Sequence, residues 1–182
     1  ATETMKKTFK TLTIMTVVCL LTATVHAATH VKPWSHGRLM VSANHRYLQL
    51  KDGTPFFLLG DTGWLLPERL DRSEAQYYLQ KCRAAGFNTV LVQVMNGTPA
   101  YNIYGQPSLP AGWDLTKADP DGVYSYWDHM DYIIKQAEQN GIYIGMVTIW
   151  GSQVKAGNIN ARQAKAYGSF LANRYKDSPN II

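Results

Sequence analysis

Three short apolar runs, at residues 56–59, 89–95 and 142–149, alternate along this chain with segments of helical spacing. That alternation constrains the fold more than any other feature. Each run is short, rich in branched or aromatic residues and bounded by turn residues, as expected of strands buried on both faces. Helices are expected over 73–85, 126–140 and 161–175. The first places Ala75, Tyr78, Leu79, Cys82 and Ala85 at helical spacing, with Ser73 as its cap and Gly86 as its stop. The second carries Met130, Ile133, Ile134 and Ala137 inward and ends at Gly141; the third carries Ala164, Tyr167, Phe170 and Leu171 behind an Asn160 cap. Asp177-Ser178-Pro179 then turns the chain into Asn180-Ile181-Ile182, the start of a fourth strand.

Strand and helix in strict alternation, with crossovers of this length, define an α/β fold with a parallel sheet. A doubly wound sheet fits in about 150 residues, whereas an eight-fold barrel takes about 250. No glycine-rich phosphate turn follows any strand, and the fourth strand has barely begun at Ile182. The expected architecture is the first half of a (β/α)8 TIM barrel. Ahead of it, residues 39–43 and 47–50 alternate apolar and polar side chains around Asn44-His45-Arg46, which predicts a β-hairpin, and Asp52-Gly53 turns the chain into the first barrel strand.

The front of the chain has a different character. After Met5 come Lys6, Lys7 and Lys10, an apolar stretch from Leu12 to about Ala23, and small residues at Val25 and Ala27. This is the layout of a secretory signal peptide cleaved after Ala27, and the apolar stretch falls short of the roughly 20 residues that span a bilayer. Residues 1–27 are therefore read as upstream residues and leader, 28–37 as a lead-in, and 38–182 as the partial barrel. The product is expected to be exported to the periplasm, cell surface or medium, with no membrane attachment after cleavage.

Removing Lys6, Lys7, Lys10 and Glu3 with the leader reduces 18 basic and 13 acidic residues to 15 and 12, a net charge of +3. So small and scattered an excess gives no footprint for nucleic acid. Cys19 leaves with the leader, so Cys82 has no partner for a disulfide and is read as a small core residue.

Ligands in α/β folds sit at the carboxyl ends of parallel strands. Asp61 and Trp64 follow the first run, Gln93 and Asn96 lie in and after the second, and Trp150 follows the third. Indole faces suit the C–H faces of sugar rings, and carboxylate and amide groups suit their hydroxyls. Asp61 has a second reading, as a cap on the turn that follows it. Between Met95 and Tyr126 lies a long stretch without sustained period, which holds Tyr101, Tyr104 and Trp113. Loops of that length in compact domains are commonly functional, and these aromatics are expected to line a cleft. Asp128, His129 and Asp131 point to different faces of one helix and cannot ligate jointly, and Asp119-Pro120-Asp121-Gly122 is read as a turn. Neither a metal nor a cofactor is expected.

The runs LKDGTPFFLLGDTGW, YYLQKCRAAGFNTVLVQV, YWDHMDYIIKQAEQNGIYIGMVTIWG and RYKDSPNII, in that order, resemble the amino-terminal half of the apiosidase-like bacterial glycoside hydrolases. The resemblance covers residues 38–182. It implies a (β/α)8 barrel that cleaves glycosidic bonds in plant or pectic polysaccharides. It further implies that the strand opening at Asn180 runs on to a Gly-Gly-Asp supplying the acid/base, with a glutamate nucleophile on a later strand. Glycoside hydrolysis needs two such carboxylates. Both positions fall beyond Ile182, so no catalytic residue is assigned within the chain, which on this reading binds an oligo- or polysaccharide without turning it over. The alternative is a non-catalytic carbohydrate-binding or structural fragment.

Overall fold

A computed structural model describes residues 31–182, a single compact unit running from Val31 to Ile182. The leader expected at 1–27 lies outside the described residues. A 3-10 turn at Pro33–His36 leads into an antiparallel meander of β1 (Leu39–Val41), β2 (Leu48–Leu50) and β3 (Pro55–Phe56). The hairpin is as expected: Leu39 pairs with Leu50 and Val41 with Leu48, and His45 takes the turn at φ 57°. The meander's Phe56 and the lead-in's Trp34 meet the Tyr143 ring edge-on at 5.4 and 5.3 Å. The lead-in is thereby packed against the amino end of a parallel strand.

The second sheet is parallel, in the order β4 (Gly60–Thr62), β5 (Thr89–Met95), β7 (Tyr143–Ile149). The chain adds a further parallel bridge between Ile144 and Ile181, closed by Ile182 N–H to Ile144 O at 3.0 Å. Between these strands lie α1 (Leu66–Arg69), α2 (Arg72–Ala84), β6 (Pro110–Trp113), α3 (Tyr126–Gln139), α4 (Gly151–Lys155) and α5 (Ala161–Tyr175). The fold is mixed α/β, with right-sized crossovers for a parallel sheet.

The first parallel strand is not where hydrophobicity puts it. Phe57, Leu58 and Leu59 are 79%, 40% and 41% exposed, and the strand is the Gly-Asp-Thr that follows. Its position is set by backbone pairing to β5, which fixes Gly60 opposite Thr89 and Thr62 opposite Leu91. Among the described residues nothing pairs with the other edge of β4, so the apolar run beside it stays open.

The three long helices begin on capping boxes. Asp71, Ser125 and Asn160 each accept from the backbone N–H three residues on, and Glu74, Asp128 and Gln163 return the bond. The cap of α2 is therefore Asp71 and not Ser73, whose hydroxyl instead donates to Asp71 at 2.8 Å. Ala85 and Ala164 are exposed and take no part in the core. The core lies between the helices and the sheet: Val90, Val92 and Val94 face Leu79, Cys82, Tyr126, Met130 and Ile133. Trp127 is its largest member, fully buried, with Nε1 donating to Ser108 O at 3.0 Å and its ring 4.7 Å from that of Phe170. Replacing such a residue by Ala costs about 3–5 kcal/mol.

The long stretch between β5 and α3 is ordered by these contacts. It contains β6, a 3-10 turn at Leu115–Lys117 and a bridge between Tyr101 and Pro107. Asp119, in the turn read from the sequence, accepts from the Ser125 hydroxyl and from Arg174, which ties the stretch to α3 and α5.

Candidate functional site

Side chains on a strand alternate between faces, and residues directly paired in a parallel ladder share one. Asp61 is paired with Val90, which belongs to the helix-facing core. Its carboxylate accordingly points toward α2, where Oδ2 accepts from the Tyr78 hydroxyl at 2.8 Å, and Oδ1 accepts from Thr62 N–H at 2.8 Å. Cys82 Sγ lies 3.8 Å from the same Oδ2, and burial pushes its thiol up, away from thiolate chemistry. Both the turn contact and the helix contact are structural.

The opposite face carries Thr62, Leu91, Gly145, Gln93 and Val147 in register. Gln93 is buried there, its Nε2 reaching Met95 O at 3.4 Å while its backbone N–H donates to Trp64 O at 3.0 Å. That backbone bond carries the strand pairing one step past β4 and holds Trp64 at the sheet's carboxyl end. Trp64 meets Trp150 across the strand ends, with ring centroids 5.5 Å apart and planes at 55°. Trp150 remains 44% exposed, so the pair presents an indole surface to solvent.

Asn96 follows β5 and lies between two polar side chains. Its N–H donates to Glu68 Oε1 at 3.3 Å, and its carbonyl accepts from Gln153 Nε2 at 3.3 Å. Gln153 also accepts from Thr98 Oγ1 at 3.1 Å and Asn158 Nδ2 at 2.8 Å. Beside Asn96 opens a groove of about 500 Å³ lined by Glu68, Arg69, Tyr101, Asn102 and Ile103 among others. Burial raises the Glu68 carboxyl above its ordinary range, opposed by the Asn96 N–H and the nearby Arg69 charge.

The other two loop aromatics go elsewhere. Tyr104 packs edge-on against Tyr124 and His129, with centroids 5.3 and 5.2 Å away, and its hydroxyl accepts from Arg72 N–H at 3.0 Å. Trp113 packs edge-on against Tyr167 of α5, 6.2 Å away, and is joined to the core. The structure thus brings Trp64 to Trp150 and Asn96 to Tyr101, and keeps Asp61, Tyr104 and Trp113 apart from both. Glu68, Arg69 and Gln153 escaped the sequence reading because they lie in short segments just after strand ends. The signal available was position: a carboxylate four residues past Trp64, in Leu66-Pro67-Glu68-Arg69.

His129 is fully buried. Its Nε2 lies 3.0 Å from Leu70 O, which can only accept, so Nε2 carries the proton and Nδ1, at 3.1 Å, accepts from the Tyr124 hydroxyl. Asp128 accepts from the Ser125 N–H at the start of α3 and Asp131 accepts from Arg174, so these three neighbours point apart. Among the described residues no three His, Cys, Asp or Glu side chains converge as metal ligands, and no helix is long and apolar enough to cross a membrane.

A parallel sheet with a polar and aromatic rim at its carboxyl end has the layout of a ligand site in an α/β domain. The model of the apiosidase-like catalytic domain matches residues 42–182, and the chain belongs to that family. It superposes on a glycoside hydrolase with 58% identity and a TM-score of 0.82, covering 84% of this chain and 34% of the other. A family 5 glycoside hydrolase from Bacteroides vulgatus gives 57% identity and a TM-score of 0.82 over 84% of this chain and 33% of that one. An endo-1,4-beta-mannanase from Rhizomucor miehei, 17% identical with a TM-score of 0.53 over 79% of this chain and 46% of its own, shares the fold. The chain spans about a third of the length of the first two structures. No curated protein matches it.

Proposed function

We propose that this chain is the amino-terminal half of the (β/α)8 catalytic barrel of an exported glycoside hydrolase acting on complex plant or pectic polysaccharide. Its part is to hold the sugar. Trp64 and Trp150 form a platform for a ring face, and Gln93, Asn96 and Tyr101 supply hydroxyl contacts beside it. Asp61 braces the Trp64 loop through Tyr78, while Tyr104 and Trp113 shape the long connection from behind.

The observation that carries this reading is the Trp64–Trp150 pair, 5.5 Å apart at the carboxyl ends of parallel strands. Family membership over residues 42–182 and the one-third coverage of the similar hydrolases support the assignment to half a catalytic domain. Release of reducing ends by the full-length protein, from a panel of neutral and pectic cell-wall polysaccharides, tests it. Hydrolysis lost in Trp64→Ala and Trp150→Ala variants that still fold is the expected result. No hydrolysis and no binding across the panel would sink the reading. Export is tested separately, by sequencing the amino terminus of the secreted product, which is expected to begin at Ala28.

A further inference from the structure

We propose that Glu68, with Arg69 beside it, forms a subsite that recognises the hydroxyl groups of a neutral sugar residue; the proposal rests on the carbohydrate reading above and names what one part of that surface selects. Glu68 stands at the end of α1, half-buried in the wall of the groove beside Asn96. Its Oε1 accepts the Asn96 N–H at 3.3 Å, and Oε2 receives no hydrogen bond from any described residue. That oxygen is free to accept from a ligand that brings O–H groups into the groove. Arg69, exposed on the same groove, offers donors to the ring and hydroxyl oxygens of such a ligand. Tyr101, 55% exposed, adds an aromatic face within reach of the same space.

Charge sets the class of sugar. Glu68 is the acidic side chain of the groove, and Arg69 beside it opposes that charge only in part. A uronate would place a second carboxylate against Glu68, and a neutral residue would not. Asn96 links the groove to the neighbourhood of the indole pair through one hydrogen bond: Gln153, which holds its carbonyl, lies in α4 just after Trp150.

The test uses the full-length protein and two probes, neutral galactomannan oligosaccharides and oligogalacturonides, with affinity read by calorimetry. Glu68→Gln keeps one carbonyl oxygen for the Asn96 N–H and replaces only the free acceptor by a donor, so the fold should survive, as a melting curve will verify. The expected result is preference for the neutral probe, and affinity for it lowered about tenfold in Glu68→Gln, the scale of one charge-assisted hydrogen bond. Affinity within about twofold of wild type would overturn the subsite, as would a loss confined to turnover or a preference for oligogalacturonides. A wild-type protein that binds neither probe would overturn the subsite and the carbohydrate reading together. Binding by wild type and variant alike would overturn the subsite alone.

Discussion

The Tyr78 hydroxyl donates to Asp61 Oδ2 at 2.8 Å, which fixes the strand-end carboxylate against helix α2 on the face of the sheet remote from the indole pair. Gly63 sits in the same corner: a Cβ there would come within 3.0 Å of Val90 Cγ1 and 3.1 Å of the Tyr78 hydroxyl. Removing the hydroxyl in Tyr78→Phe is expected to cost about 1–2 kcal/mol, since Asp61 keeps only its Thr62 bond and the weak thiol contact. Gly63→Ala is expected to destabilise by a similar route, by pushing Tyr78 off Asp61. Urea titration of each variant checks both, and a Tyr78→Phe protein as stable as wild type would show the bond to be idle.

Arg174 ties α5 to α3 and to the long connection. Its Nε and Nη2 meet Asp131 Oδ1 and Oδ2 at 3.0 and 2.8 Å, and Nη1 reaches Asp119 in the long connection. Both carboxylates are substantially exposed, so solvent screening limits the gain. Arg174→Met is expected to cost about 1–2 kcal/mol, and Arg174→Lys to recover less than half, because an ammonium cannot make the two-pronged contact. Thermal melts at low and high salt measure both.

The buried His129 predicts a pH dependence. Burial lowers its pKa from 6.5, opposed by the bond to Leu70 O; nearby Arg72 lowers it further and Asp71 raises it. Burial pushes the Tyr124 hydroxyl up to about 12, so it remains the donor to Nδ1. The unfolded chain therefore binds the imidazole proton more readily than the folded one. This contribution to stability is complete above 6.5 and falls away as the pH drops through the lower folded value. His129→Gln should flatten that part of the stability profile, measured by denaturant titration from neutral to mildly acidic pH. An unchanged profile would assign the acid sensitivity elsewhere.

Trp64 and Trp150 are close enough for their excited states to couple. Far-ultraviolet circular dichroism should show an exciton couplet that disappears in Trp64→Phe and in Trp150→Phe alike. The proposed sugar platform needs both indoles, so a couplet that survives either substitution would remove its geometric basis.

The helices were legible in the sequence because their information is local. Apolar residues at helical spacing and an Asx or Ser cap three residues ahead of Glu, Asp or Gln define each start; the caps at Asp71 and Ser125, the exposure of Ala85 and Ala164, and the short helices α1 and α4 were missed. The first parallel strand was not legible, because Gly60-Asp61-Thr62 has no hydrophobic signature and owes its place to pairing with β5. Trp113 misled for the converse reason. An aromatic in an irregular stretch gives no sign of which face will receive it, and Tyr167, more than fifty residues on, decides that. The two tryptophans of the candidate site were legible from position after strands, whereas Glu68 and Gln153 became visible only through their shared hold on Asn96.

The reciprocal caps on Asp71, Ser125 and Asn160 also bear on how the chain finds its fold. Each is closed within four residues, so local contacts alone suffice to set the rotational phase of α2, α3 and α5 without any strand pairing. The helices then arrive at the sheet with their apolar stripes already aimed, and strand pairing has register alone to search. Exchanging a cap for alanine should accordingly slow the growth of the parallel sheet while leaving the rate of its dissolution nearly untouched.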